Sequence, residues 1–291
     1  MGGYFCISHL FSSVIFGLCV PVFFFISGFL FFKKGFDNHV YINKLYKRTR
    51  TILVPFICWN LLYLLIFIFC GYIILYSDDG SPIGIVPWLN GNEGSMIGVI
   101  GHWLKGTFIN FNGSGSPTCI PFWYLRDLIC MFIFSPLFFI FIKHMRQYGL
   151  AILILIWLLS GRYTTFPYLF IRPHVLFYLM GAYFAINKYN LVNVFSKIGN
   201  WLYFLYAFVA FVDLLTSTSD LNCFIHRATI LLGVVASFKI AIVHVEKKRF
   251  PEKEFAIRVK NTNFFIFAVH WIILYWLSFP LTKLYDGTDF H

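Results

Sequence analysis

The residues of this 291-residue sequence best placed to do chemistry are ionisable side chains inside long apolar segments. Trp123, Arg126, Asp127 and Cys130 are three or four residues apart, so they share one face near the start of a helical segment. His270 lies about seven residues inside another apolar segment. A neutral imidazole at that depth can transfer a proton, and it can equally donate a hydrogen bond to a neighbouring carbonyl. Arg126 and Asp127 fit either a polar site or an ion pair that only orients its helix.

A second set of ionisable residues lies near the ends of other apolar segments. These residues are Arg172, His174, Asp213, His226 and Arg227. A charge at membrane depth costs about 2.5–3.5 kcal/mol unless it has a partner or a wet cavity. Asp213 and Arg227 therefore favour a structural ion pair between neighbouring helices, and the two histidines favour hydrogen bonds at headgroup level over chemistry. Taken together, the positions predict a polar vestibule that opens outward, with His270 beneath its floor.

The segments that carry these residues are too apolar for a soluble protein. The chain is 59% hydrophobic and 12% charged, with 38 phenylalanines, whereas an ordinary soluble domain is about 25% charged. Most of the apolar segments approach the roughly 20 residues that a transmembrane helix needs. The predicted fold is all-α: a polytopic membrane helix bundle of about eight transmembrane helices, forming a single integral membrane domain over 1–291. The predicted spans are 9–32, 51–76, 121–142, 150–166, 167–186, 201–216, 223–243 and 264–281.

The basic residues predict which side of the membrane each connection faces. Segments 33–50, 143–146, 188–197 and 247–260 hold 16 of the 23 Lys and Arg residues, which places them in the cytoplasm. The glycine- and proline-rich stretch 77–120 has no basic run and is predicted to be an external loop. Lys44, Lys47, Arg48 and Arg50 are explained by this sidedness and by anionic lipid, but they could also hold a cofactor with several phosphates.

Several familiar classes of protein are excluded by missing motifs. The sequence has no phosphate-binding loop, dinucleotide-binding glycine motif, serine-hydrolase elbow or HExxH zinc motif. The seven cysteines are scattered without CxxC spacing, so we expect neither a metal site nor a disulfide framework. The net charge of +11 is explained by the basic residues of the predicted cytoplasmic connections, and no nucleic-acid partner is expected.

Five segments, in order, give the chain a resemblance to the membrane-bound acyltransferase 3 family. VPVFFFISGFLFF at 20–32 and KLYKRTRTILVPFICWNLLY at 44–63 resemble the family's second span, basic cytoplasmic loop and third span. PFWYLRDLICMFIFSPL at 121–137 is similar to its tryptophan, leucine and arginine segment, and VLFYLMGAYFA at 175–185 to its phenylalanine and glycine span. NFFIFAVHWIIL at 263–274 is similar to its penultimate span with the histidine.

The resemblance implies an enzyme of the bacterial inner (plasma) membrane with acetyl-CoA or another acyl-CoA as donor. The acyl group would pass to a sugar hydroxyl of a cell-surface polysaccharide or glycolipid. By motif, Arg48, Arg50 and Pro55 match the family's basic segment, and Trp123 with Arg126 its outer segment. His270 matches the later histidine and would be the base, since a sugar hydroxyl must lose its proton as it attacks the thioester.

The resulting site assignment has three groups of residues. The catalytic candidates are His270, Arg126 and Asp127. Arginine side chains clamp phosphates bidentately, so Arg48 and Arg50 are the candidates for binding CoA. The candidates for binding the acceptor are Trp123, Arg172 and His174.

The ends of the chain differ from the family pattern. Family members begin with a further span that carries an arginine and, about eleven residues later, a histidine. Only eleven residues separate His9 from Pro21, so His9 belongs to the same helix as the SGFLFF motif. We therefore expect the first and last family spans to be absent. A polysaccharide exporter of the same family and an inactive truncated remnant stay open as alternatives to the enzyme.

Overall fold

A computed structural model of the chain describes residues 14, 16–74, 122–159 and 173–246, and within these ranges it has helices but no strands. A single 3₁₀ turn, Phe16–Leu18, leads into the first helix, and a π-helical turn, Thr49–Leu53, precedes the third. The α-helices are α1 Cys19–Phe32, α2 Asn38–Arg48, α3 Val54–Ile74, α4 Trp123–Leu159, α5 Pro173–Ile186, α6 Leu191–Ser196, α7 Trp201–Leu215 and α8 Asn222–Glu246.

The predicted apolar segments are helical wherever the structure describes them, which confirms an all-helical fold for that part of the chain, and α2 and α6 are additional helices in the predicted connections. Two of the helices, α4 and α8, are long and apolar enough to cross a membrane. Helices α1, α5 and α7 are apolar but shorter. The predicted span 264–281 lies outside the described residues, so the count of eight transmembrane helices stays a prediction.

Helix α4 is two helices joined at a sharp break. Arg146 has φ 47° and ψ −134°, far from helical values. The break falls at the end of the connection 143–146, which the basic residues predicted to lie between two spans. The 37 residues of α4 therefore contain two of the predicted segments rather than one very long helix.

The described helices belong to two compact units. The first unit contains α1, nearly all of α2, the part of α4 from Cys130 onward, and α5 to α8. The second unit contains the π-helical turn, α3 and the start of α4 up to Ile129.

Two glycines set the closest helix contact of the first unit. A Cβ atom built on Gly28 of α1 would overlap the main-chain carbonyl of Tyr178, and one built on Gly181 of α5 would overlap that of Phe25. The backbones of α1 and α5 therefore touch, as they do in membrane helix pairs that use small residues at their crossing. Beside this crossing, the Phe25 ring lies 5.6 Å from Phe184 of α5 and 4.6 Å from Phe238 of α8.

A proline in α4 is surrounded by hydroxyl groups of the first unit. Pro136 has no N–H, and its ring disturbs the helical hydrogen bonds of the preceding turn. The Tyr41 hydroxyl of α2 donates to the Ile133 carbonyl of that turn at 3.0 Å. The buried hydroxyls of Ser135 and Tyr178 lie 3.0 Å apart. Side-chain hydroxyls therefore support the helix where proline weakens it.

We expect Tyr41→Phe to lower the free energy of unfolding by about 0.5–1.5 kcal/mol, the net contribution of one hydrogen bond. Burial raises the pKa of Tyr41 above its ordinary value of 10.0, so the phenol of the folded protein stays a donor at neutral pH. Because the folded-state pKa is the higher one, this contribution is complete below pH 10 and is lost as the pH rises through the raised value.

The measurement is the thermal unfolding of the detergent-purified protein between pH 7 and 11. The difference between wild type and Tyr41→Phe should be constant up to about pH 9 and shrink above pH 10. Tyr148→Phe removes a phenol that is 68% exposed and is the matched control. A constant difference across the whole range would contradict the assigned hydrogen bond.

The outer surface of α7 is strongly apolar. Phe204, Phe208, Phe211 and Leu215 recur every three or four residues and are 58–78% exposed. In water, such an exposed apolar stripe would promote aggregation, whereas lipid tails accommodate it without an energetic penalty. The stripe supports the interpretation that this helix faces lipid.

Candidate active site

The basic segment of the second unit ends in a widened helical turn. The N–H of Val54 donates to the carbonyl of Thr49, five residues earlier, which is the pattern of a π-helix. Pro55 follows directly and supplies no N–H, so the regular α-helical pattern cannot form at this point. Arg50 lies in this turn with an exposed side chain, and Arg48, just before it, is half-buried. Single π-helical turns occur often at functional sites.

The first turns of α4 carry a buried ion pair. Arg126 Nε lies 3.3 Å from Asp127 Oδ1, and the two side chains are only 9% and 13% exposed. Trp123, one turn earlier, is half-buried and packs edge-on against Tyr124, with ring centroids 6.4 Å apart. Buried charges interact far more strongly than exposed ones, so the attraction between Arg126 and Asp127 is stronger than that of an ion pair on the protein surface.

Phe56 and Phe122 bring these two segments of the second unit together. Their rings are stacked with centroids 6.2 Å apart, in a buried cluster that also contains Tyr63 and Leu125. At a rise of about 1.5 Å per residue, Arg50 lies roughly 9 Å along the chain from Phe56, and Arg126 roughly 6 Å from Phe122. The start of α3 and the residue just before α4 therefore contact each other in this unit.

This proximity differs from the prediction made from sidedness. Counting of basic residues placed Arg50 at the cytoplasmic face and Arg126 near the outer face, which a full span would separate by about 30 Å. Hydropathy identifies an apolar segment but does not fix its depth or tilt. The contact between Phe56 and Phe122 shows that the two segments are not a membrane thickness apart.

His174 lies in the first turn of α5, in the first unit. Its ring stacks on Phe24 of α1 at 5.0 Å with an interplanar angle of 27°, and the residue is 9% exposed. It was predicted to contact the acceptor, and the structure places it in a buried aromatic contact. Arg172 and His270, the other two candidates from apolar segments, lie outside the described residues, as does His9.

A second acid–base pair lies at the connection between α7 and α8. Asp213 is completely buried, and its Oδ2 lies 2.8 Å from His226 Nδ1. The Asn222 side chain donates to Asp213 Oδ1 at 2.7 Å. Arg227, which the sequence suggested as the partner of Asp213, donates to the Trp157 carbonyl at 2.7 Å, with its guanidinium 5.9 Å from the Trp157 ring centre.

Helix geometry explains why the histidine meets Asp213. Asn222 and His226 are four residues apart and share a face of α8, whereas Arg227 is turned by about 100°. Opposite charge favoured Arg227 as the partner of Asp213. The four-residue spacing of Asn222 and His226 is the sequence feature that could have identified the residues that contact Asp213. Among the described residues, no three His, Cys, Asp or Glu side chains lie close enough to hold a metal ion.

Comparison with known proteins assigns the chain to a family. The model of the acyltransferase domain of the acyltransferase 3 family matches residues 3–287. A curated relative, the succinoglycan biosynthesis protein ExoH of Rhizobium meliloti (strain 1021), is 24% identical over 283 residues. That alignment covers 93% of this chain and 69% of the relative. No solved structure matches the chain.

The family match spans nearly the whole chain, including the segments that carry Arg48, Arg50, Trp123, Arg126 and His270. The resemblance predicted from five short motifs is thereby confirmed. The chain belongs to the acyltransferase 3 family and is an enzyme that transfers acyl groups.

Proposed function

We propose that this chain is a multi-pass O-acyltransferase of the bacterial inner membrane. It moves an acetyl group from acetyl-CoA to a sugar hydroxyl of a cell-surface polysaccharide or glycolipid. The family match supports the transfer of acyl groups, and the name of the succinoglycan relative supports a polysaccharide acceptor. The two long apolar helices and the exposed aromatic stripe of α7 support a place in the lipid bilayer.

One observation carries the proposal beyond the family. Phe56, which follows Arg48 and Arg50 at the start of α3, stacks on Phe122, four residues before Arg126. Acetyl-CoA carries its phosphates and its thioester on one molecule, so its binding arginines and its reacting carbonyl must be served by nearby parts of the protein. Arg48 and Arg50 would hold the phosphates bidentately, and the exposed side chain of Arg50 is accessible to such a ligand.

The chemistry requires a proton-transfer residue and a cation. A sugar hydroxyl loses its proton as it attacks the thioester, and negative charge develops on the carbonyl oxygen. His270 is the proposed proton-transfer residue, and Arg126 stabilises the oxyanion while Asp127 orients its guanidinium. Trp123, Arg172 and His174 are proposed on chemical grounds to bind the acceptor sugar. Their aromatic faces and hydrogen-bond donors are suited to a carbohydrate.

The test uses membranes that contain the full chain and radiolabelled acetyl-CoA. We expect label to enter the polysaccharide or glycolipid fraction, and His270→Ala to reduce this transfer by about 10²–10⁴-fold, the usual contribution of a general base. His144→Ala is the control, because His144 is exposed and lies 2.9 Å from a carbonyl of its own helix.

Other results would contradict the proposal in distinguishable ways. Glycan that leaves vesicles without acquiring label would indicate an exporter. Neither labelling nor release would indicate an inactive remnant. Transfer that His270→Ala leaves unchanged would remove His270 from the mechanism but not the acyltransferase activity.

A further inference from the structure

Helix α2 is exposed along its whole length. The first unit contains nearly all of this helix, yet none of its eleven residues is buried. Its most exposed large side chains are Ile42 and Tyr46, which are 62% and 67% exposed. They are four residues apart, so they lie on one edge of the helix. We call this edge the apolar edge of α2.

Two side chains hold another side of α2 against the first unit. The Tyr41 hydroxyl donates to the Ile133 carbonyl of α4 at 3.0 Å, and the Lys44 ammonium donates to the Gly35 carbonyl at 3.1 Å. Around the helix, Ile42 is turned by about 100° from Tyr41 and by about 160° from Lys44. These contacts therefore leave the apolar edge directed away from the unit.

Polar side chains lie beside the apolar edge. Asn43 and Lys47 are exposed, and they are turned by about 100° and 140° from Ile42. A helix with an apolar edge next to a basic, polar one suits the boundary between acyl chains and headgroups, where it lies in the plane of the membrane. The side chains of α2 thus fit a lipid surface better than bulk water.

Three exposed lysines lie near the start of α2. Lys33 and Lys34 belong to the connection that follows α1, and Lys143 lies on α4. The rings of Phe36, in that connection, and Phe139 stack with centroids 4.7 Å apart, and Lys143 Nζ is 5.0 Å from the Phe139 ring centre. The stack brings together two basic segments that were both predicted to face the cytoplasm.

The charge of this region is strongly positive. Residues 33–47 contain four lysines and one aspartate, and residues 143–146 contain a lysine and an arginine but no acid. Lys33 Nζ lies 5.8 Å from the Phe29 ring centre, so its stem, like that of Lys143, runs along an aromatic ring towards the charged end. Lysines at membrane boundaries reach headgroups in this way.

Sidedness explains why basic residues gather at this end, but it does not require an apolar helix edge beside them. An anionic phospholipid complements both features, because its phosphate is negative and its acyl chains are apolar. The charge of the three lysines selects an anionic headgroup over a zwitterionic one, which has no net charge to attract them.

We propose that α2 lies in the plane of the cytoplasmic leaflet, with Ile42 among acyl chains and Lys33, Lys34 and Lys143 against the headgroup of an anionic phospholipid. This inference rests on the proposed place of the chain in the inner membrane. It adds a lipid-binding surface that takes no part in the proposed acyl transfer. A lipid that binds only the folded protein stabilises it, so the charge of the leaflet controls the stability of the first unit.

The first experiment measures thermal unfolding of the full chain in lipid nanodiscs. One set contains phosphatidylcholine alone, and the other contains equal parts of phosphatidylcholine and phosphatidylglycerol. We expect phosphatidylglycerol to raise the unfolding midpoint by about 2–4 °C for each lysine that contacts it.

The variants test which lysines are responsible. Lys34→Gln with Lys143→Gln should lose about 4–8 °C of the rise and keep the wild-type midpoint in phosphatidylcholine. Lys188→Gln with Lys197→Gln is the matched control, because it removes two exposed lysines from the connection between α5 and α7. The control should keep the rise.

A second measurement reports where the apolar edge lies. The photoreactive residue p-benzoylphenylalanine at position 42 should crosslink to phospholipid in the same nanodiscs, and mass spectrometry identifies the adduct. Position 43 is the matched control, since Asn43 is also exposed but is turned by about 100° around the helix. It should give several-fold fewer lipid adducts.

The outcomes separate this inference from the proposed function. Equal wild-type midpoints in the two lipid mixtures, or an equal loss in both double variants, would overturn the headgroup contact. Equal lipid adducts at positions 42 and 43 would overturn the placement of α2 in the leaflet. Each of these results leaves the acyltransferase and its membrane location standing. A chain that enters neither kind of nanodisc would contradict the membrane location itself.

Discussion

Replacing Gly28 or Gly181 by alanine should leave little or no folded protein. A Cβ at position 28 would overlap the Tyr178 carbonyl and lie 3.2 Å from the Ala182 nitrogen, and one at position 181 would overlap the Phe25 carbonyl and lie 2.9 Å from the Phe29 nitrogen. These obstacles are main-chain atoms of packed helices, which cannot rotate away as a flexible side chain could. Because α1 and α5 would have to separate along their whole contact, the loss should approach the roughly 5–15 kcal/mol that stabilises a domain.

The measurement is the fraction of a fluorescent fusion that elutes as a monodisperse peak in detergent. Gly35→Ala is the control: Gly35 has φ +83°, but a Cβ atom at this position would have no neighbouring atom within 4 Å. That variant should be destabilised by about 1–2 kcal/mol through backbone strain alone and should still fold. Normal yield of Gly28→Ala would mean that the two backbones do not touch as described.

Arg126→Gln should reduce both stability and acyl transfer, by separate mechanisms. The change leaves the Asp127 carboxylate, 13% exposed, without the guanidinium 3.3 Å away. Removal of one partner from a buried ion pair costs about 3–5 kcal/mol. If Arg126 also stabilises the oxyanion of the thioester, transfer per folded molecule should fall by about 10²–10³-fold.

The double variant Arg126→Gln with Asp127→Asn separates the two effects. It removes the Asp127 charge together with the Arg126 charge, so most of the stability should return, whereas transfer should stay low. Arg146→Gln, which replaces an exposed arginine at the break in α4, is the control and should leave both unchanged. If the double variant recovered transfer as well as stability, the Arg126–Asp127 pair would have only a structural role.

The positions of the helices were predictable because their apolar segments are long. Each predicted segment within the described ranges is helical, and the break at Arg146 follows a short basic connection that hydropathy already marked. In lipid, every backbone N–H and C=O must be paired within the segment, so an apolar run of sufficient length has few alternatives to a helix. The positions of the helices can therefore be predicted from the apolar segments alone, without knowing which helices pack together.

The candidate site was predictable only in part. The family motifs pointed to Arg48, Arg50, Trp123 and Arg126, and the family match includes the segments that carry them. Sidedness predicted that the segments of Arg50 and Arg126 begin at opposite faces of the membrane, whereas Phe56 and Phe122 of these segments stack with ring centroids 6.2 Å apart. Depth and tilt depend on which helices pack together, and a hydropathy profile contains no such information.

Sequence alone was enough to predict a strongly apolar acyltransferase that is helical over the described residues, because hydrophobic runs and motif residues are local features of the chain. Which groups meet depends on the packing of the helices: His226 rather than Arg227 at Asp213, Tyr41 beside the turn before Pro136, and Gly28 against the backbone of α5. These choices depend on the rotation and crossing of helices far apart in sequence. The rotation and crossing angle of each helix are set by how its side chains pack against other helices. The residues of one helix alone are compatible with many rotations.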